Sequence, residues 1–504
     1  MRSKLRKLFF ALRVVFLVAN IAYAANQPVG QAAPKSKPPL AKNISSLVTS
    51  HESQFSAKVG VSIVRLSDRK TIFKNRHEQL FTPASNQKLL TTAAVLDKLS
   101  ANYFFNTKIY AYKKSIIVVG DFDPTLGDPV VAKILKKSIY DKLDAAAKLA
   151  AKSQSKKYAQ LICHCKSGQS FYPSGWKKKD IGKWYAAPVS RLAFYNNCIG
   201  ITFAKQGGKI IPKVKPNLAT WRIINKTKRG AKHLWRVKTK MKSGLITFLG
   251  KVATASKFTV YAPVDDPDYF AGRVILDRFV KAGLLRENAK CIVTDVDKKT
   301  LEKAKLIAQI KNPISFAIDR ANRRSLNMSA ESLYLKLGDG NWANASRLMS
   351  KILLENFALN PDQLKVRDGS GLSATNKISP ANMTTLLRKM TTHKAWQVYR
   401  DSLAVGGKTG TLRRRFRSKD LSGKVIAKTG YISGVICLSG YILDKENAPA
   451  YAFSIMINGS TKNAKRTIDE ICARLIDAAS QGLHHVSETQ SADRKPRSAD
   501  LEKP

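Results

Sequence analysis

The runs best suited to pair in one sheet stand at opposite ends of this chain, and that separation constrains the fold more than any other feature. VGVSIVRL, starting at Val59, alternates apolar and β-branched residues as a strand does. Its counterparts, VICLSGYIL and AYAFSIMIN, come close to the C-terminus and precede TKNAKRTIDEICARLIDAA. There Ile468, Ile471, Cys472, Leu475 and Ile476 recur at helical spacing. A strand, strand, helix ending of this kind fits the closing of a sheet begun at Val59. The expected fold class is α/β, an antiparallel sheet flanked by helices and interrupted by a large β-rich insert.

The intervening text fits that division. FTPASNQKLLTTAAVLDKL reads as a helix entered through Pro83 and Ser85, with Leu89, Leu90, Ala93, Ala94 and Leu96 as its apolar face. From about Asn102 to Val264, short β-like runs (SIIVVG, GKIIPKV, SGLITFLG, FTVYAPV) alternate with Gly, Pro and Lys clusters, with helical text from Pro129 to Ser153. Helical patterning returns in YFAGRVILDRFVKAGLL and in SAESLYLKLGDGNWANASRLMSKILLENFA. The expected division is a discontinuous domain of residues 25–102 and 263–480, and an insert of residues 103–262 in one or two subdomains. A chain of 504 residues is long enough for both cores.

Residues 1–24 combine a basic start, an apolar stretch from Leu8 to Ile21 and an Ala22-Tyr23-Ala24 site, and read as a secretory signal cut after Ala24. Arg13 and the shortness of the stretch argue against an uncleaved anchor, since a span needs about 20 apolar residues. The expected location is the periplasm or the extracytoplasmic face. Residues 481–504 are polar and charged and read as a disordered tail.

The balance of 88 basic against 35 acidic residues gives a formal charge of +53, which attracts polyanions. Export and the dispersal of the basic clusters, Lys177 to Lys179 and Arg413 to Arg415 among them, argue against nucleic acid, because no aromatic residues interleave them. A solvated basic surface is expected, with peripheral contact to anionic membrane or wall polymers. The six cysteines are too scattered for a disulfide scaffold, and Cys163-His164-Cys165 lacks a second ligand pair at zinc spacing. No metal and no cofactor is expected, and the sequence carries no signal for an oligomeric state.

Three strings carry chemistry: Ser85-Asn86-Gln87-Lys88, Ser325-Leu326-Asn327 and Lys428-Thr429-Gly430. A serine hydroxyl needs a base to act as a nucleophile, and i,i+3 spacing on a helix brings Lys88 to Ser85. Lys88 serves as base if the helix dipole, a second ammonium such as Lys428, and burial depress its pKa. Ser325 then relays a proton to the leaving amine, Asn327 orients Lys88 or a substrate amide, and Lys428 completes the field around a substrate carboxylate. S-x-x-K, S-D-N and K-T-G is a known trio of acyl-transferring serine enzymes.

The chain resembles the class C low-molecular-mass penicillin-binding proteins, the DacB-type D-alanyl-D-alanine carboxypeptidase/endopeptidases. Beside the three strings, VVGDFDPTL, Gly175-Trp176 with YAAPVSRLAFYNN, ANRRSLNMSAESLYLKLG, DGSGLS and GKVIAKTGYISGVICLSGYI carry the resemblance from about Val59 to Asp477. It implies a penicillin-binding, serine β-lactamase-like catalytic domain and hydrolysis of D-alanyl stem peptides of peptidoglycan. It also implies acylation by β-lactam antibiotics and oxyanion donors from the backbone N–H groups of Ser85 and Tyr431. Thr429, Gly430 and Tyr431 then face the substrate, with Asp180 and Tyr185 contributed by the insert. Lys408-Thr409-Gly410 spells the third string too, but matches the family's G-x-D-G-T-L loop. Departures are Leu326 for an aspartate, Tyr431 for a serine or threonine, and Ala374 for an arginine that helps grip the stem-peptide side chain. They keep open a second reading, a basic cell-wall-binding protein of the same fold with a degenerate site. A Ser/His/Asp hydrolase is disfavoured by the lack of a G-x-S-x-G elbow.

Overall fold

The sheet foreshadowed by the two ends of the chain forms, with six antiparallel strands in the order 404–405, 425–432, 435–443, 449–459, 57–65, 71–75. The computed structural model describes residues 39–165 and 170–481. The segment read as an export signal and the tail beyond Gln481 lie outside the described residues. No helix among the described residues is long and apolar enough to cross a membrane.

Val59 pairs with Ile457 and Val61 with Ile455, joining the start of the chain to its end. Every residue of Val435–Leu443 is buried, as its continuous apolar text requires of a central strand. Ala452 and Met456 of the neighbouring strand share a core with Leu89 and Leu90 of the helix Gln87–Leu99 and with Leu386 and Leu387 of the helix Pro380–Met390. The terminal helix Ala464–Ser480 packs on the same central strands and buries Ile468, Ile471, Cys472, Leu475 and Ile476. Gln87–Leu99 is buried from Gln87 through Leu96 and packs against the helices Ile314–Asn322, Asn327–Leu337 and Trp342–Glu355. The two polar residues that open it, Gln87 and Lys88, therefore lie inside the protein.

A second apolar core runs from Ile109 to Ile310. It lies on a five-stranded mixed sheet ordered 285–294, 158–164, 115–119, 104–112, 305–313, covered by the helices Asp141–Lys152 and Pro267–Lys281. The strands Tyr158–His164, Leu285–Thr294 and Lys305–Pro313 were not evident in the sequence, because lysines and polar residues break their apolar alternation. Two three-stranded sheets complete this region. One joins Cys198–Gln206, Lys209–Lys215 and Val260–Pro263, the other Arg222–Arg229, Leu234–Lys240 and Leu245–Val252.

Candidate active site

The chain enters the Gln87–Leu99 helix through a 3-10 turn, Ala84–Asn86, that carries Ser85. Two close approaches hold this turn. A Cβ on Gly430 would stand 2.6 Å from the Pro83 carbonyl oxygen, and one on Gly371 only 1.8 Å from that of Ala84. Both glycines are therefore obligatory, which gives the third position of Lys428-Thr429-Gly430 a purely steric reason. Ala84 (φ 46°) and Ser325 (φ 59°) both take left-handed backbone conformations that non-glycine residues avoid, a form of strain that collects at functional sites.

Lys88 is wholly buried, and its Nζ lies 3.0 Å from Ser85 Oγ, 2.6 Å from Asn327 Oδ1 and 2.7 Å from the Ser370 carbonyl oxygen. The Asn327 amide is oriented by its other end, since Nδ2 donates to the Tyr185 carbonyl at 2.7 Å and so turns Oδ1 toward the lysine. Two of the three neighbours of the amine are thus obligate acceptors. A neutral Lys88 gives its two hydrogens to them and turns its lone pair to the Ser85 hydroxyl. Burial drives the Lys88 pKa down to about 7, against the opposing charges of Glu331 and Asp368. Burial is thus the leading cause of the depression that the sequence assigned first to the helix dipole and a second ammonium.

Lys428 is the other buried amine. Its Nζ donates to Ser325 Oγ at 2.9 Å and to the Thr429 carbonyl at 2.7 Å, and its pKa lies well below the usual lysine value through burial and then the charge of Lys88. Thr429 Oγ1 donates to Thr411 Oγ1 at 2.9 Å, so the loop bearing the second Lys-Thr-Gly string lies beside the first, while Lys408 itself is exposed. The Tyr431 side chain is 67% exposed. Tyr185 Oη donates to Asp180 Oδ1 at 3.0 Å, and the backbone of Tyr185 meets Asn327, which links Asp180 to the cluster. Leu326 is buried with Phe122, Val189 and Met328, which accounts for an apolar residue between Ser325 and Asn327.

Beneath this group lies a layer of polar residues that the sequence did not single out. Glu331, one helical turn beyond Asn327, accepts from the backbone N–H groups of Gly369 at 2.9 Å and Ser370 at 2.8 Å, which fixes the carbonyl that meets Lys88. Asp368 accepts from the N–H groups of Gly371 and Ser373, from Asn376, and from Trp176 Nε1 at 3.0 Å. Burial pushes both carboxyl groups above their usual range. The i,i+4 spacing of Asn327 and Glu331 was the available signal, and the DGSGLS string held the rest.

A sheet flanked by helices, with an all-helical layer over a half-buried serine paired with a buried lysine, defines the penicillin-binding and β-lactamase-like class of folds. Penicillin binding protein 4 from Haemophilus influenzae shares this fold, with a TM-score of 0.69 and 20% identity over 86% of this chain and 98% of that one. The chain belongs to the D-Ala-D-Ala carboxypeptidase 3 (S13) family, whose model matches residues 40–479. Its relatives include a D-alanyl-D-alanine carboxypeptidase of an Actinomadura species, 26% identical in a 462-residue match that covers 83% of this chain and 81% of that protein. A penicillin-sensitive carboxypeptidase A of Dictyostelium discoideum is 25% identical over 79% of this chain and 82% of its own. The protein is a hydrolase of the D-alanyl-D-alanine carboxypeptidase type.

Proposed function

We propose that the chain hydrolyses D-alanyl-D-alanine stem peptides of peptidoglycan through an acyl-enzyme on Ser85, as a carboxypeptidase and as a D,D-endopeptidase on cross-linked peptides. The observation that carries this reading is the arrangement about Lys88, whose two carbonyl acceptors leave the lone pair for Ser85. Ser85 Oγ attacks the carbonyl carbon of the penultimate D-alanine and passes its proton to Lys88. The backbone N–H groups of Ser85 and Tyr431 hold the oxyanion. The C–N bond then breaks, and Ser325, hydrogen-bonded to Lys428, relays a proton to the leaving amine. Water hydrolyses the ester and restores Ser85. Thr429, Gly430 and Tyr431 line the leaving side of the substrate, and Asp180 with Tyr185 lines the stem-peptide side. β-Lactams acylate the same serine.

The proposal extends to organisation and place. Of the expected catalytic domain, residues 39–102 and 314–480 carry the six-stranded sheet, its helices and all three strings, and an inserted module begins near residue 103. The module continues past residue 262, because Leu285–Thr294 and Lys305–Pro313 are strands of its five-stranded sheet. The enzyme is exported and acts outside the cytoplasmic membrane.

Labelling with a fluorescent penicillin and D-alanine release from a pentapeptide test the mechanism. Wild type labels and releases D-alanine, and Ser85→Ala does neither. Labelling of Ser85→Ala at the wild-type level would refute the assignment of the nucleophile. A wild type that binds peptidoglycan but releases no D-alanine would favour the degenerate wall-binding reading.

A further inference from the structure

Between Asp180 and Asp265 the chain contains 17 Lys or Arg residues and no Asp or Glu. This acid-free stretch supplies both three-stranded sheets of the insert, and in one of them seven of the eight Lys and Arg residues stand on a single face, Arg229 being the exception. In that sheet, Leu245–Val252 lies between Arg222–Arg229 and Leu234–Lys240. Residues directly opposite in the register share a face, so Arg222, Lys226 and Lys228 of one edge strand stand with Arg236, Lys238 and Lys240 of the other. All six are exposed, and none joins an ion pair among the described residues. The opposite face is anchored by Ile246 and Phe248, both buried, with Phe248 packed near Phe203 and Trp235.

Apolar side chains interleave the cations. Ile224 is 39% exposed and Leu234 68% exposed, and Leu249 lies between Lys226 and Arg236 in the register. A dissolved polyanion has use for the cations alone. The boundary between headgroups and acyl chains of a bilayer takes up both kinds of side chain. The face is also a two-dimensional array, three strands wide, rather than a single line of charge.

We propose that the outer face of the 222–252 sheet docks on the surface of an anionic phospholipid bilayer, holding the enzyme at the membrane by its insert. The inference does not depend on the chemistry at Ser85, and the two fail independently. The test is sedimentation of the full chain with vesicles of phosphatidylcholine alone or with phosphatidylglycerol, alongside penicillin acylation. The wild type is expected to bind only the phosphatidylglycerol vesicles. Lys226→Glu/Arg236→Glu/Lys238→Glu is expected to lower the partition coefficient by roughly tenfold or more with acylation unchanged. Lys58→Glu/Lys445→Glu/Lys465→Glu, with the same change of charge at exposed sites outside the insert, is expected to retain most of the binding. Leu234→Ser is expected to weaken vesicle binding while leaving binding to soluble polyphosphate unaltered. Absence of vesicle binding by wild type, an equal loss in both triple variants, or stronger capture by polyphosphate than by vesicles would overturn the proposal.

Discussion

Two groups of cations in this protein are treated in opposite ways. Lys88 and Lys428 have no exposed surface, and their amines are held by fixed oxygens. The lysines and arginines of the 222–252 sheet stand in solvent with no ion pair to a carboxylate among the described residues. One side-chain chemistry thus serves two ends, and burial decides which. Desolvation takes the charge from a buried amine and leaves a base, whereas an exposed amine keeps its charge and can act only through its field. The net charge of the chain describes the second group and says nothing of the first.

Removing the buried amine has the largest expected effect. Lys88→Met is expected to slow acylation by benzylpenicillin by about 10³-fold, measured as the second-order rate constant, because it deletes the base at the nucleophile. A drop of less than tenfold would break the contrast drawn above. Glu331→Gln leaves the amine in place but loosens the turn that presents the Ser370 carbonyl to it. The expected loss in the same constant is about 10- to 100-fold. Leu326→Asp, which restores the residue usual in the resembling family, places a carboxylate among Phe122, Val189 and Met328. It is expected to cost about 3 kcal/mol of stability in urea unfolding. The smallest expected effect sharpens the comparison most. Raising salt well above 0.15 M should abolish vesicle binding by the exposed cations while acylation at Ser85 changes by less than about twofold, since screening reaches surface charges and not buried ones.

What was legible in the sequence divides along the same line. The middle of the six-stranded sheet was readable, because Val435–Leu443 and Pro449–Gly459 are continuous apolar runs that must be covered on both faces and Ala57–Arg65 alternates as their partner, whereas Thr71–Asn75, Val425–Ile432 and Ala404–Val405 were not placed in it. Ser85, Lys88, Ser325, Asn327 and Lys428 were readable from three short strings whose spacing has a chemical reason. Glu331 and Asp368 were not assigned roles, because a buried carboxyl holding backbone N–H groups has no local pattern of its own. The edge strands of the five-stranded sheet were missed for a related reason. Leu285–Thr294 and Lys305–Pro313 are half exposed and interrupted by charged and polar residues, and they owe their conformation to the partners they pair with. The basic face was hidden in a total of +53, since only the register shows which lysines stand together.

The account rests most heavily on a neutral Lys88 acting as base toward Ser85, and the pH dependence of benzylpenicillin acylation tests it most directly. With the lysine held near pKa 7 by burial, the amine is protonated at lower pH and carries its lone pair at higher pH. The rate constant should therefore rise with pH and level off above a midpoint near 7, about tenfold per unit on the acid side. A rate that stays flat from pH 6 to 8, or that falls as pH rises through this range, would contradict it.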